Sequence, residues 1–194
     1  MNPLPTAAWG AALTALLLAG CASRESLVPQ VRQDVAADGA KTVSVAPDRL
    51  ACERGARCPV LAASWSSARA GQAELAIGLP GVQSPVTGAD VHIGGSEVVR
   101  LRSSQANVQD GMSRFDVPLR LVDRLAYAQR VWMRVYTADG AGVDEYVNSG
   151  EQSSRAAEAM AHFLAAVQKA GGAGAGVEGP SGGLFDRLGV KDKP

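Results

Sequence analysis

Apolar and polar residues alternate most cleanly at Val131 to Thr137. Val131, Met133 and Val135 fall on one side, and Trp132, Arg134 and Tyr136 on the other. A two-residue period predicts a strand buried on one face. Asp139-Gly140 then turns the chain, and Val143 to Val147 returns as the partner strand. Ala73 to Leu79 follows the same rule, with Leu75, Ile77 and Leu79 opposite Glu74 and Ala76, until Pro80-Gly81 stops it. Val91-His92-Ile93, Gly94-Gly95 and Glu97 to Arg102 predict a hairpin, with the paired glycines forming a two-residue turn. In that hairpin Val91 and Ile93 pack with Val99 and Leu101, while Arg100 and Arg102 face water. Thr42 to Val45 is the first strand, ended by Pro47. Val60 to Ser66 leaves its state open; as a strand it puts Leu61, Ala63 and a core Trp65 on one face. Residues 103 to 113 are polar and predict a loop, followed by a short strand from Arg114 to Val117.

Two stretches carry the helical period. After Pro118, which suits the first turn of a helix, Leu121, Val122, Leu125 and Ala128 form one stripe, with Arg120, Asp123 and Arg124 outside it. From Gly150 to Ala170, Ala156, Met160, Phe163, Leu164 and Val167 repeat at helical spacing. Ser149 is the expected N-cap, Gln152 completes a capping box, and Gly171 ends the helix. The order lacks regular βαβ alternation. It predicts an α+β fold: an antiparallel or mixed sheet built from hairpins, with two helices packed on one face. A β-sandwich with peripheral helices and a split βαβ arrangement are the rival folds.

The first element of the chain is of another kind. Ala7 to Leu18 is an uncharged apolar run of about a dozen residues, short of the roughly 20 that a spanning helix needs. It fits the h-region of a signal peptide. It runs into Leu18-Ala19-Gly20-Cys21, which resembles the lipobox of bacterial lipoproteins. The resemblance covers the first 22 or so residues. It implies cleavage before Cys21 and acylation of the Cys21 sulfur and its freed amine. Several acyl chains make an effectively permanent anchor. Ala22, where inner-membrane retention usually has Asp, points to the outer membrane, with the folded body facing the periplasm. The chain then divides into a signal peptide (1–20), a lipidated N-terminus and polar tether (21–41), a single α+β domain (42–170) and a glycine-rich tail (171–194). A weakly periodic helix from Pro29 to Ala37 is a possible feature of the tether.

The remaining cysteines, Cys52 and Cys58, form an even pair in an exported chain, and the expectation is a structural disulfide. Redox motifs usually hold two residues between the cysteines, and two thiols alone do not make a zinc site. Lys+Arg and Asp+Glu balance at 19 each. That argues against a nucleic-acid partner, since phosphate binding wants a basic excess. Aromatic residues are 5% of the chain, which argues against a sugar- or base-stacking platform.

Candidate chemistry is sparse. His92 should face away from Val91 and Ile93, toward solvent beside Arg100. His162 falls off the apolar stripe of its helix, with Glu158 alone at metal-ligand spacing. Asp116 and Asp123 are a weak carboxylate pair. Gly94-Gly95-Ser96 reads as a turn. Arg54 and Arg57 make the small disulfide loop basic. No catalytic residue, metal ligand or cofactor is assigned. The reading is a membrane-anchored, non-enzymatic binding or scaffolding lipoprotein. Its partners are the membrane, through Cys21, and an unidentified envelope protein. The alternatives are an accessory or sensor subunit of an envelope machine that docks through Leu184 to Leu188, or a cell-wall hydrolase.

Overall fold

The computed structural model describes residues 28–52, 57–102 and 108–172. The apolar leader, Cys21, Arg54 and the Leu184–Leu188 cluster lie outside the described residues.

Among the described residues the chain is a sheet-rich α+β protein with two antiparallel sheets and two α-helices. Its strands are β1 (Val31–Val35), β2 (Lys41–Arg49), β3 (Val60–Ser66), β4 (Gln72–Gly78), β5 (Val86–Ile93), β6 (Glu97–Arg102), β7 (Val108–Gln109), β8 (Met112–Pro118), β9 (Val131–Thr137) and β10 (Gly142–Asn148). The helices are α1 (Leu119–Tyr127) and α2 (Arg155–Val167). One sheet has the order β1-β2-β3-β4-β8-β7, the other β10-β9-β5-β6. The single sheet expected from the sequence is therefore two. After β4, Pro80 and Pro85 withhold backbone donors and Gly81 takes a positive φ of 79°. β5 consequently leaves the first sheet and starts a second. β8 then returns to pair with β4, and β9 pairs with β5.

One hydrophobic cluster joins both sheets and both helices. Val43, Val45, Leu61, Ala63, Trp65, Leu75, Ile77, Phe115 and Val117 enter it from the six-stranded sheet. Ala89, Val91, Ile93, Leu101, Val131, Met133 and Val135 enter from the four-stranded sheet. Helix α2 packs on β1, β2 and β3, and α1 on β4 and β8; the two helices also touch. Phe163, at the centre of α2, is fully buried. Strand β3 is settled as a strand, with Leu61, Ala63 and Trp65 buried. The Trp65 indole donates to the Ala70 carbonyl at 2.9 Å, so its one polar atom is satisfied.

Several boundaries move. Val31–Val35, inside the segment read as a tether, is a strand, not a helix: Val31, Gln33 and Val35 alternate with Arg32 and Asp34 along β2. Strand β2 runs through Pro47, because a register shift between Val45 and Asp48 removes that position from the ladder. The turn after Ile93 has three residues, since Ile93 pairs with Glu97 and only Gly94 needs a positive φ, 68°. Within the expected 103–113 loop lies a hairpin, β7–β8. Its two-residue turn is Asp110-Gly111, both at positive φ, as a mirror-image turn demands. Helix α2 begins five residues later than its sequence suggests. Ser154 caps it, accepting from the Ala157 amide at 3.1 Å, while Ser149 closes a separate turn with Gln152. Gly171, at φ 96°, ends the helical segment as expected.

Candidate functional site

The outer face of the four-stranded sheet gathers the side chains most able to bind. Register places Val98, His92, Trp132 and Tyr146 in one row across β6, β5, β9 and β10. His92 and Trp132 stack with ring centroids 3.6 Å apart and planes within 10°. Tyr146 is 49% exposed and Val98 40%. The next row is Arg100, Asp90, Arg134 and Asp144, an alternation of charge across four strands. Opposite charges at facing positions stabilise a sheet pair, each by roughly 0.2–1 kcal/mol. The third row is Arg102, Gly88, Tyr136 and Gly142. Because Gly88 has no side chain, Arg102 lies across it and sits 5.1 Å from the Tyr136 ring centre. A Cβ at Gly88 would lie 3.2 Å from Arg102 Nη1 and 2.6 Å from the Leu101 carbonyl.

Asp90 is the hub of these rows. Tyr136 donates its hydroxyl to Asp90 Oδ2 at 2.8 Å, and Arg102 Nη2 donates to Oδ1 at 2.7 Å. Burial pushes the Asp90 carboxyl up, but these two hydrogen bonds and the charges of Arg102 and Arg100 outweigh it and hold the carboxyl below its ordinary value. The same hydrogen bond to Asp90, helped by burial, raises the Tyr136 phenol. Arg134 grips Asp144 in a two-point contact, donating Nε to Oδ1 at 2.6 Å and Nη2 to Oδ2. That hydrogen bonding holds the Asp144 carboxyl below its ordinary value, with smaller help from the charges of Arg134 and His92. Among the described residues Arg100 forms no ion pair. The face thus presents an aromatic row beside a balanced charge row that ends in an uncommitted guanidinium.

A second concavity, of about 480 Å³, lies on the outer face of the six-stranded sheet. Its floor is small: Ser44, Ala62, Ser64 and Ala76. Glu74 and Arg114, each about one quarter exposed, form an ion pair there, and Ser64 donates to Glu74 at 3.4 Å. Among the described residues Arg114 Nε has no hydrogen-bond partner.

The residues singled out from sequence are scattered. Cys52 and Cys58 are joined, as expected, with Cα atoms 5.7 Å apart. Asp116 is exposed on the six-stranded sheet and pairs with Arg69 at 2.9 Å. Asp123, expected on the outside of α1, is buried at 7% exposure because α1 is covered on more of its circumference than one stripe allows. It lies close enough to Tyr127 to assist burial in raising that phenol. His92 does turn away from Val91 and Ile93, but it is half-buried against Trp132 rather than simply solvated. His162 is exposed on α2. Arg57 lies close enough to Asp139 to help depress its carboxyl, after the Thr137 hydroxyl and the Ala141 amide. The aromatic face itself was missed. Its signal was the outward trio Trp132, Arg134 and Tyr136, but only the register brings His92 and Tyr146 beside it. The chain matches no protein-family model, no curated protein and no solved structure.

Proposed function

We propose that this chain is an envelope lipoprotein, anchored by acyl chains on Cys21 in the outer membrane. Its folded body faces the periplasm and is a non-enzymatic binding domain for another envelope protein. The observation that carries the binding half is the row of exposed Val98 and Tyr146 and half-buried His92 and Trp132, beside Arg100. Tryptophan, tyrosine and arginine dominate the energetics of protein interfaces because they bury large areas and keep a polar handle. One face of Trp132 is already occupied by His92, which favours interdigitating side chains over a flat sugar ring. The anchoring half rests on Leu18-Ala19-Gly20-Cys21.

In-cell crosslinking of the tagged protein, with mass spectrometry of its N-terminal peptide, tests both halves. Wild type should carry acyl chains on Cys21 and capture one envelope protein. Trp132→Ala with Tyr146→Ala should lose that capture while remaining acylated, and Cys21→Ser should leave the membrane fraction. An unacylated N-terminus sinks the anchor. Capture that survives the double alanine variant sinks the assigned face.

A further inference from the structure

We propose that the edge strand β1 is a self-complementary interface through which two copies of this chain form one continuous sheet. β1 is the outermost strand of the six-stranded sheet. Among the described residues nothing pairs with its free side, and four of its five residues are exposed, Val35 at 69%. An open edge of unpaired amides and carbonyls is a template for another strand.

The backbone phase is set by the pairing with β2. The Ala46 amide donates to the Gln30 carbonyl at 2.9 Å, and the Ala36 amide to the Ala40 carbonyl at 2.8 Å. Even-numbered residues therefore point their backbone groups toward β2, and Val31, Gln33 and Val35 point theirs outward. A two-fold axis through Gln33 brings a second β1 alongside in antiparallel register. Gln33 then faces the second Gln33, and each Val31 faces a Val35, all as hydrogen-bonded pairs. The intervening residues form the closer, non-hydrogen-bonded pairs, where side chains interact most directly. There each Arg32 meets an Asp34. Neither residue has an ion pair among the described residues, and both lie on the sheet face shared with Ser44 and Thr42. The sequence Val-Arg-Gln-Asp-Val is its own charge complement when read antiparallel. This is what an isologous two-fold contact requires. The edge strand β10 lacks the property: a two-fold through its middle sets Asp144 or Glu145 against an acid.

Gln33→Cys in the full chain tests the register. Facing cysteines in a hydrogen-bonded pair stand about 5.5 Å apart at Cα, within disulfide reach. Mild oxidation should give a covalent dimer on a non-reducing gel that the parent chain does not give. Asp34→Cys is the collision control: also exposed, it faces Arg32 and lies too far from its own mate, so it should remain monomeric. On the Gln33→Cys background, Arg32→Asp and Asp34→Arg should each lower the dimer yield by about tenfold or more, since two-fold symmetry creates two like-charge contacts at once. The combined Arg32→Asp, Asp34→Arg chain restores both pairs and should restore the yield, which shows that the singles did not merely unfold. Failure of Gln33→Cys to crosslink, as when another segment of the chain covers the edge, overturns the proposal. So does equal crosslinking by Asp34→Cys, or a combined variant that stays monomeric.

Discussion

Replacing Asp90 by Asn removes the charge on which the outer face of the four-stranded sheet converges, while nearly keeping its shape. Two contacts are affected. The Tyr136 hydroxyl bond to a charged acceptor is part-buried, and such bonds contribute about 1.5–3 kcal/mol. An amide oxygen can still accept from Tyr136, so only part of that is lost. The Arg102 contact is half exposed on the arginine side and contributes little, about 0.5 kcal/mol after solvent screening. Asp90→Asn should therefore cost about 1–2 kcal/mol at pH 7. The pH dependence follows from the direction of the shift. The carboxyl lies below its ordinary value of 3.8 in the folded protein. Its stabilisation is therefore complete above that value and disappears as pH falls through the depressed folded value. Urea unfolding of wild type and variant, from pH 7 down to pH 2, should show a gap that is constant to about pH 4 and then closes. Asp144 is depressed as well, so both proteins should weaken in acid; the difference between them isolates Asp90. A gap that stays constant to pH 2, or no gap at pH 7, refutes the assignment of Asp90 as a charged hub.

Two further outcomes follow from the fold. Cys52 and Cys58 are six residues apart, and closing so short a loop restricts the unfolded chain by about 2 kcal/mol. A Cys52→Ala, Cys58→Ala chain should lose about that much in urea unfolding, and a loss below about 0.5 kcal/mol contradicts the entropic account. Gly88→Ala places a Cβ 2.6 Å from the Leu101 carbonyl, a backbone atom that cannot step aside. It should destabilise by about 1–3 kcal/mol, and its thermal midpoint should fall measurably below that of Gly142→Ala, whose Cβ has 3.8 Å of room.

Local periodicity made most of the strands legible, because a half-buried strand writes its two faces directly into alternating residues. β4, β9 and the inward faces of β5 and β6 were read that way. What stayed hidden was long-range pairing. β4 joins β8 across the β5–β6 hairpin, and β5 joins β9 across α1. No local window holds that information, so two sheets were read as one. The β7–β8 turn shows a different failure. Asp110-Gly111 is a strong hairpin dipeptide, but β7 has only two residues and gives no alternation to notice. β1 was lost because Arg32, Gln33 and Asp34 are polar in succession. As an edge strand, it buries too little of either face to carry an apolar pattern.

The same reasoning explains why composition pointed away from a stacking face. A 5% aromatic content is an average over the chain, whereas a binding surface depends on placement. Trp65, Phe115 and Phe163 are spent in the core. Trp132, Tyr136 and Tyr146 alternate outward on two adjacent strands, and the antiparallel register of β9 and β10 sets Trp132 directly against Tyr146. Charge behaves alike: a chain with equal numbers of acidic and basic residues still ends one cross-strand row on Arg100, which forms no ion pair among the described residues. Pairing concentrates a few residues into one face, and that face differs in kind from the outer face of the six-stranded sheet, whose centre is serine and alanine. A partner that inserts apolar side chains along the Trp132 row and brings a carboxylate to Arg100 satisfies both features at once, whereas the concavity on the six-stranded sheet is lined by no aromatic side chain among the described residues.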